Sequence, residues 1–343
     1  MKILITGGCG FVGSNLAIFL KKNIKNSKII SVDNLFRPGS RINKKRIEKH
    51  GIKNFNFDIS NFKKIQKLPS VNLVIDCCAE AAIEVSKKEP DRVIFTNFVG
   101  TYNILKKCIK NKSNIIFLSS SRVYSINKIR DLIKGKNLKK KINKKYEIKE
   151  NFDTSGIKSI YGFSKLASED LIKEVNYSNN INYIINRFGV ISGPWQFGKQ
   201  DQGFMSLWMA KHINKKRLSY IGYGGSGNQV RDVLHIDDVC EIILKQIVNF
   251  RKIKNITFNI GGGKKNSVSL KELTDLCQRI SNNKVRLKKI KKTSNYDIPY
   301  FITDNSKIYN YYKWKPTRNI NSILWDIYFW LSANNDLLKR FLR

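Results

Sequence analysis

Three glycines at three-residue spacing, Gly7, Gly10 and Gly13, stand where one short apolar run ends and another begins. Met1 to Thr6 is β-branched and apolar, the pattern of a buried strand, and Gly13 to Lys22 carries the periodicity of an apolar helix. The glycines therefore occupy a strand-to-helix turn. A side chain there would block the tight bend, the approach of a ligand's phosphates to backbone N–H groups, or the packing of helix on strand. The turn is a candidate phosphate cradle, although glycine-rich turns also serve ordinary loops.

The alternation continues beyond the turn. Lys28 to Val32 reads as a second strand, Val71 to Cys77 as another, Thr96 to Ile109 as a helix, and Asn114 to Leu118 as a strand running into three serines. Strands alternating with helices predict α/β architecture, a Rossmann-type doubly wound parallel sheet. Residues 127–150 are dominated by Lys and Asn and read as a surface insertion. Ser164 to Val175 is helical and Tyr183 to Phe188 strand-like. The expected division is a Rossmann domain over 1–190, returning near 232–262 with strands around Val233–His235 and Thr257–Ile260. Residues 191–343, irregular and aromatic from Gly193 onward, form a smaller C-terminal substrate-binding lobe.

A chain of 343 residues can bury a substantial core, and its net charge of +38 raises the question of nucleic acid or anionic membranes. The Lys residues are spread along the whole chain rather than gathered in a stripe, so the charge reads as a solvated basic surface with no nucleic-acid partner. Such a surface helps draw in a diphosphate-bearing substrate. Six cysteines without paired spacing read as buried free thiols, and three histidines are too few for a His-built metal site. The start lacks a cleavage pattern and no apolar run approaches the ~20 residues of a membrane span, so a cytoplasmic protein is expected.

Asp33 stands twenty residues after Gly13 at the end of the second strand. A carboxylate there accepts hydrogen bonds from the adenosine ribose and repels a 2′-phosphate, which favours NAD over NADP, with nearby Arg37 as the contrary sign. Tyr161 and Lys165 lie four apart, on one face of a helix. A phenol of ordinary pKa about 10 is a poor base at neutral pH, and a neighbouring ammonium favours its phenolate. The run Leu118-Ser119-Ser120-Ser121-Arg122-Val123-Tyr124 places hydroxyls at the carboxyl end of a strand, where doubly wound sheets bind ligands.

Glycine cluster, Asp33, serine triplet with Val-Tyr, and YxxxK, in that order, resemble the extended short-chain dehydrogenase/reductases, the NAD-dependent epimerase/dehydratase family. Asn97-Phe98-Val99-Gly100-Thr101, Arg187-Phe188, Arg231-Asp232-Val233-Leu234-His235 and Trp314-Lys315-Pro316 extend the likeness over nearly the whole chain. The resemblance implies that Ser120 hydrogen-bonds the reacting sugar oxygen, that Tyr161 is the acid/base, and that Lys165 is its partner and binds the nicotinamide ribose. It implies NAD contacts at Gly7, Gly10, Phe11, Val12, Gly13, Asp33, Asn34, Asp58, Ile59, Ala79, Asn97 and Phe188, with Asp58 and Ile59 flanking adenine. Glu80 departs from it, since many relatives have Gln or a small polar residue there. Substrate contacts are implied at Ser121, Gln196, Phe197, Gln229, Arg231 and His235. Arg231 would take the diphosphate, and His235 is as well read as a structural histidine. Trp195 and Phe197 suit either base stacking or a lobe core.

Dehydratases of this kind carry Asp-Glu immediately after the catalytic hydroxyl, where this chain has Ser121 and Arg122. What remains is the equipment of reversible hydride transfer on a nucleotide-sugar, and hence an epimerase. Gly193-Pro194-Trp195-Gln196-Phe197-Gly198, Asp201-Gln202-Gly203 and Gly227-Asn228-Gln229-Val230-Arg231-Asp232 are most similar to the CDP-paratose 2-epimerase branch, which inverts C2 of a CDP-dideoxyhexose. Val190, where several relatives carry a substrate-binding Asn, leaves the sugar open. A nucleotide-sugar 4-epimerase, a net ketosugar reductase and a non-catalytic NAD- or nucleic-acid-binding module are the alternatives. The family likeness also implies a homodimer or homotetramer, paired through helices near Thr101 and Ser164.

Overall fold

A computed structural model describes residues 1–37, 39–134, 145–198 and 203–334. The chain divides into two units, one of Met1–Val123, Ser159–Arg187 and Val239–Phe258, the other of Tyr124–Lys158, Phe188–Asp238 and Asn259–Arg343.

The first unit is built on β1 (Lys2–Thr6), β2 (Lys28–Val32), β3 (Lys53–Phe55), β4 (Leu73–Asp76), β5 (Asn114–Ser120) and β6 (Tyr183–Phe188). Between these and a seventh strand, β10 (Ile256–Ile260), lie β7 (Val190–Ser192), β8 (Leu218–Ile221) and β9 (Val230–His235). The large sheet runs β10-β6-β5-β4-β1-β2-β3. Its central strands are parallel, with Ile3 opposite Ile29 and Leu73, and Ile75 opposite Ile116. This is the doubly wound order, with the strand direction reversing its march at β1. β4 is apolar up to its closing Asp76 because helices cover both faces of the sheet. Leu4, Val74, Phe117 and Ile185 pack with Ile104, Leu105, Ile172 and Val175 from the helices Gly100–Asn111 and Ile160–Asn179.

The helix Ile160–Asn179 starts on Ser159, whose hydroxyl accepts from Gly162 N, and ends at Asn180 in the left-handed conformation. Its buried stripe reads Tyr161, Ser164, Lys165, Ser168, Glu169, Ile172 and Val175, helical in spacing but polar in its first half. The polar part is held by a closed network. The fully buried Glu169 carboxylate receives Ser119 Oγ from β5 at 2.5 Å and Arg187 from β6, by Nε at 3.1 and 3.0 Å and by a terminal nitrogen at 2.7 Å. The fork geometry satisfies both charges out of water.

The second unit holds β11 (Ser267–Ser269), β12 (Leu287–Ile290) and β13 (Tyr300–Phe301), arranged as β11-β9-β13 with β7 also on β9, and as a separate β12-β8 pair. Its core gathers Met205, Trp208, Leu273, Ile323, Leu324, Ile327 and Trp330 from the helices Phe204–Ile213, Leu270–Ser281 and Ile320–Ala333. Two expectations change here. Val233–His235 belongs to β9 of this smaller sheet and does not rejoin the large one, whereas 256–260 does. The basic stretch 127–150 is no plain surface insertion. Its described parts include the helix Ile126–Asp131, and Ile129, Ile133 and Ile148 are all buried, with Ile133 packed against Val230, Tyr300 and Ile302. Isolated isoleucines among lysines were enough to anchor it. Residues 135–144 of that stretch, and Asp201 and Gln202, lie outside the described residues.

Removing one partner of a buried ion pair strands the other charge. Glu169→Ala is therefore expected to lower stability by about 3 kcal/mol or more, read as a lower urea midpoint at unchanged slope. Glu169→Leu with Arg187→Met should lose less than that single change. A loss within ~0.5 kcal/mol for Glu169→Ala, the size of ordinary surface effects, would refute the network's structural role.

Candidate active site

The turn after β1 is closed by Gly10 N donating to Gly7 O at 2.9 Å. Gly7 has φ +59°, and a Cβ there would sit 3.0 Å from the Cys78 backbone. A Cβ on Gly13 would lie 2.2 Å from Gly7 O, so the third glycine is fixed by helix-to-turn packing. The helix Phe11–Asn23 opens with no acidic residue in its first turn, and its leading amides, beside the half-buried Phe11 and Val12, meet no internal carboxylate. Positive partial charge there suits a pyrophosphate.

Asp33 sits beside this turn. Its carboxylate accepts from Cys9 N at 3.1 Å and Leu35 N at 2.8 Å. Burial pushes its pKa up against those hydrogen bonds. Asn34 is exposed and donates to Asp58 Oδ2 at 2.7 Å. For Asp58, burial pulls upward, but hydrogen bonds from Ser60 and Asn34 prevail and hold the carboxyl below its usual range. The Ile59 side chain is buried in the core beside Gly100. Ala79 is half-buried on the loop after β4.

Asn97, expected at the cofactor, is fully buried. Its Oδ1 accepts from Glu80 N at 2.7 Å, and its Nδ2 donates to Glu80 O at 3.1 Å and Ser164 Oγ at 3.0 Å. Ser164 Oγ in turn donates to Tyr161 O at 2.9 Å. Asn97 thus positions the loop of Ala79 and Glu80 against the helix that carries Tyr161.

The structure brings Ser120, Tyr161 and Lys165 together. The Ser120 hydroxyl acts on the Tyr161 phenol, pulling its pKa down, and Ser120 Oγ accepts from Arg122 N at 3.2 Å. Burial pushes the Tyr161 phenol up, while Ser120, Arg122 and Arg37 pull it back. Lys165 Nζ lies 3.8 Å from the centre of the Phe117 ring, is buried, and has no hydrogen-bond partner. Burial holds its pKa down, opposed chiefly by Asp76. A buried ammonium with its donors unspent, on the face shared with Tyr161, fits the acceptor oxygens of a ribose. Together with a turn that only glycine fits, this meets the demands of a dinucleotide.

The second unit treats its expected ligand residues differently. Gln196 is consumed internally, Nε2 donating to Ile191 O and Oε1 accepting from Ser192 and Ser206 hydroxyls. Trp195 and Phe197 pack on Trp330, at 5.9 and 5.8 Å between ring centres, as lobe core. Gln229 Nε2 donates to Ile221 O at 3.1 Å, leaving a buried Oε1 without a partner. Arg231 pairs with Asp297 at 3.1 Å and donates to the Ile298 carbonyl, so its guanidinium is already engaged. His235 Nδ1 accepts from Asp237 N at 3.0 Å, where the helix Ile236–Asn249 begins, and Nε2 lies 3.3 Å from Asp326. That is the structural alternative for His235. Phe188 is buried in this unit, and Ser121 is half-buried beside Ser120.

None of the six cysteines forms a disulfide; Cys9, Cys108, Cys240 and Cys277 are buried and Cys77 and Cys78 half-buried. Burial and the Asp33 charge push Cys9 up to about 12. No group of three or more His, Cys, Asp or Glu among the described residues is placed to hold a metal ion. No described helix is long and apolar enough to cross a membrane. Motif reading passed over Asp76 and Glu169 and noted Glu80 only as a departure from the family pattern. A lone acid in the apolar run Leu73–Asp76 and the four-residue step from Lys165 to Glu169 could have flagged the first two.

The family model of the NAD dependent epimerase/dehydratase family matches residues 3–261. The chain is 32% identical to the CDP-paratose 2-epimerase of Salmonella typhi, over 97% of this chain and 100% of that one. Its fold matches UDP-glucose 4-epimerase of Thermotoga maritima, solved with UDP-glucose, at TM-score 0.83 and 23% identity, covering 98% and 100% of the two chains. It likewise matches UDP-glucuronic acid 4-epimerase of Bacillus cereus, solved with UDP-glucuronic acid and NAD, at TM-score 0.81 and 23% identity, covering 97% and 99%. With a glycine turn, Asp33 beside it and Ser120, Tyr161 and Lys165 in one unit, the chain belongs to the NAD dependent epimerase/dehydratase family.

Proposed function

We propose that this NAD-dependent enzyme epimerises a nucleotide-activated sugar, inverting C2 of a CDP-dideoxyhexose. The observation that carries the reaction type is the Ser120 hydroxyl acting on the Tyr161 phenol, on the helix of a buried Lys165 that has no hydrogen-bond partner among the described residues, with Ser121 and Arg122 in place of a dehydratase's acidic pair. The likeness to the Salmonella typhi relative, 32% over nearly the whole length of both, supports the substrate.

NAD, when bound, supplies a hydride acceptor that gives the same hydride back. Tyr161 removes the proton of the sugar hydroxyl as the hydride leaves the same carbon, and Ser120 holds that oxygen through its own hydroxyl. The product of this half is a ketosugar. Returning the proton from Tyr161 as the opposite face accepts the hydride completes the inversion with no net redox change. Lys165 anchors the ribose, while Arg122 and Arg37 favour the phenolate against burial. Because burial raises the Tyr161 pKa, the base form is lost as pH falls and turnover should rise toward alkaline pH. Free thiols and a nucleotide-activated substrate suit a cytoplasmic setting.

Homodimerisation is part of the same proposal. Phe95, Tyr102 and Phe163 are 56%, 46% and 56% exposed on the segments Phe95–Val99, Gly100–Asn111 and Ile160–Asn179. Aromatic area of this kind suits a partner of the same chain. Light scattering should report a dimer or a multiple of one, and Tyr102→Glu should dissociate it. A monomeric wild type would refute this part.

Tyr161→Phe is expected to lower turnover by ~10³-fold or more, a loss typical of removing a general base, while NAD still binds. Wild-type rates in that variant would remove the proposed base. The substrate is tested by incubation with CDP-, UDP-, GDP- and dTDP-sugars, reading each product's stereochemistry by NMR. Inversion at C2 of a CDP-dideoxyhexose is the expected result. Inversion at C4 of a UDP-sugar, or stoichiometric NADH consumption, would overturn it.

A further inference from the structure

The large sheet places β1 between β2 and β4, all three parallel, so the loops after β2 and β4 flank the glycine turn that follows β1. Both loops touch the turn itself. Asp33, after β2, accepts from Cys9 N, and Cys78, after β4, donates its backbone N–H to Thr6 Oγ1 at 3.1 Å. Farther out, the two loops are joined to each other. Arg37 donates to Glu80 Oε1 at 2.6 Å, although β2 and β4 are not neighbours and stand two strand spacings, about 10 Å, apart.

This junction is built rather than incidental. Glu80 is only 5% exposed, its backbone is clamped on both sides by Asn97, and its second oxygen takes Arg92 at 2.9 Å. Arg92 is itself fixed by Glu89 at 2.7 Å. A second contact runs in parallel, for the ring of Phe36, 62% exposed, lies 4.8 Å from the Arg92 guanidinium. An ion pair and a cation–π contact thus connect residues 36 and 37 to residues 80 and 92 across the end of β1.

We propose that Arg37–Glu80, with Phe36–Arg92 beside it, is a strap over the dinucleotide groove that retains the cofactor. The proposal rests on the NAD reading above. Retention matters for an epimerase, because a cofactor lost in its reduced form would leave the ketosugar stranded. The strap also assigns Arg37 to Glu80, so this arginine is no sign of a 2′-phosphate site.

The test follows NADH release from the full-length protein by displacement with excess NAD, read by NADH fluorescence, in wild type, Arg37→Met, Arg37→Lys and Phe36→Ala. Circular dichroism and melting without cofactor check that each is folded, and Phe36→Ala, at an exposed position, keeps the test available if Arg37→Met is not. Release should be about tenfold faster or more in Arg37→Met, intermediate in Arg37→Lys and faster in Phe36→Ala, with the change in off-rate. Wild type and folded variants releasing NADH at one rate would overturn the strap alone. A wild type that binds neither NAD nor NADH would overturn the cofactor reading, and the strap with it.

Discussion

A single buried carboxylate organises the first unit. Asp76, at the end of β4, has no exposed surface, yet it receives Thr6 Oγ1 at 2.5 Å, Thr101 Oγ1 at 3.0 Å and Cys78 N at 3.3 Å. Thr6 is the last residue before the glycine turn, Cys78 begins the loop of Ala79 and Glu80, and Thr101 also bonds Asn97 O. A carboxyl in such a place is tolerated only when hydrogen bonds replace those of water, as these three do. Asp76 is also the main influence opposing the desolvation of the Lys165 ammonium. The glycine turn, the loop after β4 and Lys165 are therefore coupled through one side chain.

This coupling explains an apparent waste. Lys165 and Glu169 are the two charged residues in the buried stripe of one helix. Glu169 is neutralised by Arg187 and ties the helix to β5 and β6, while Lys165 is kept without a local hydrogen bond. The first charge fixes the position of the stripe. The second is left available to a ligand.

The first unit was legible from sequence because its determinants are local. Apolar runs bounded by glycine and acid gave β1, β2 and β6 to within a residue, and Gly13 can only be glycine when 2.2 Å separates its missing Cβ from Gly7 O. The second unit was opaque because its determinants are long-range. Ile129, Ile133 and Ile148 are buried, Ile133 against Val230 and Tyr300 far along the chain, so a lysine-rich composition concealed these anchors. Motif likeness likewise named Gln196, Arg231 and His235 as ligand contacts, yet sequence spacing says nothing about Ser206, Asp297 or Asp326, which engage them. β3, three residues long, carries too little periodicity to announce itself.

Electrostatics at the phenol follow the same division between local and distant. The YxxxK spacing makes Lys165 the natural candidate for lowering the Tyr161 pKa, but the charges acting most on the phenol are Arg122, next to the serine triplet, and Arg37, from the loop after β2. Arg37 reaches that position because Glu80 draws it across the turn, and Glu80 is fixed by Asn97, which also holds Ser164 on the helix of Tyr161. The base's environment is thus set by a chain of contacts running through both loops that flank the glycine turn. Moving either loop would alter cofactor contact and proton affinity together, so binding and chemistry in this unit are not separable functions of separate residues.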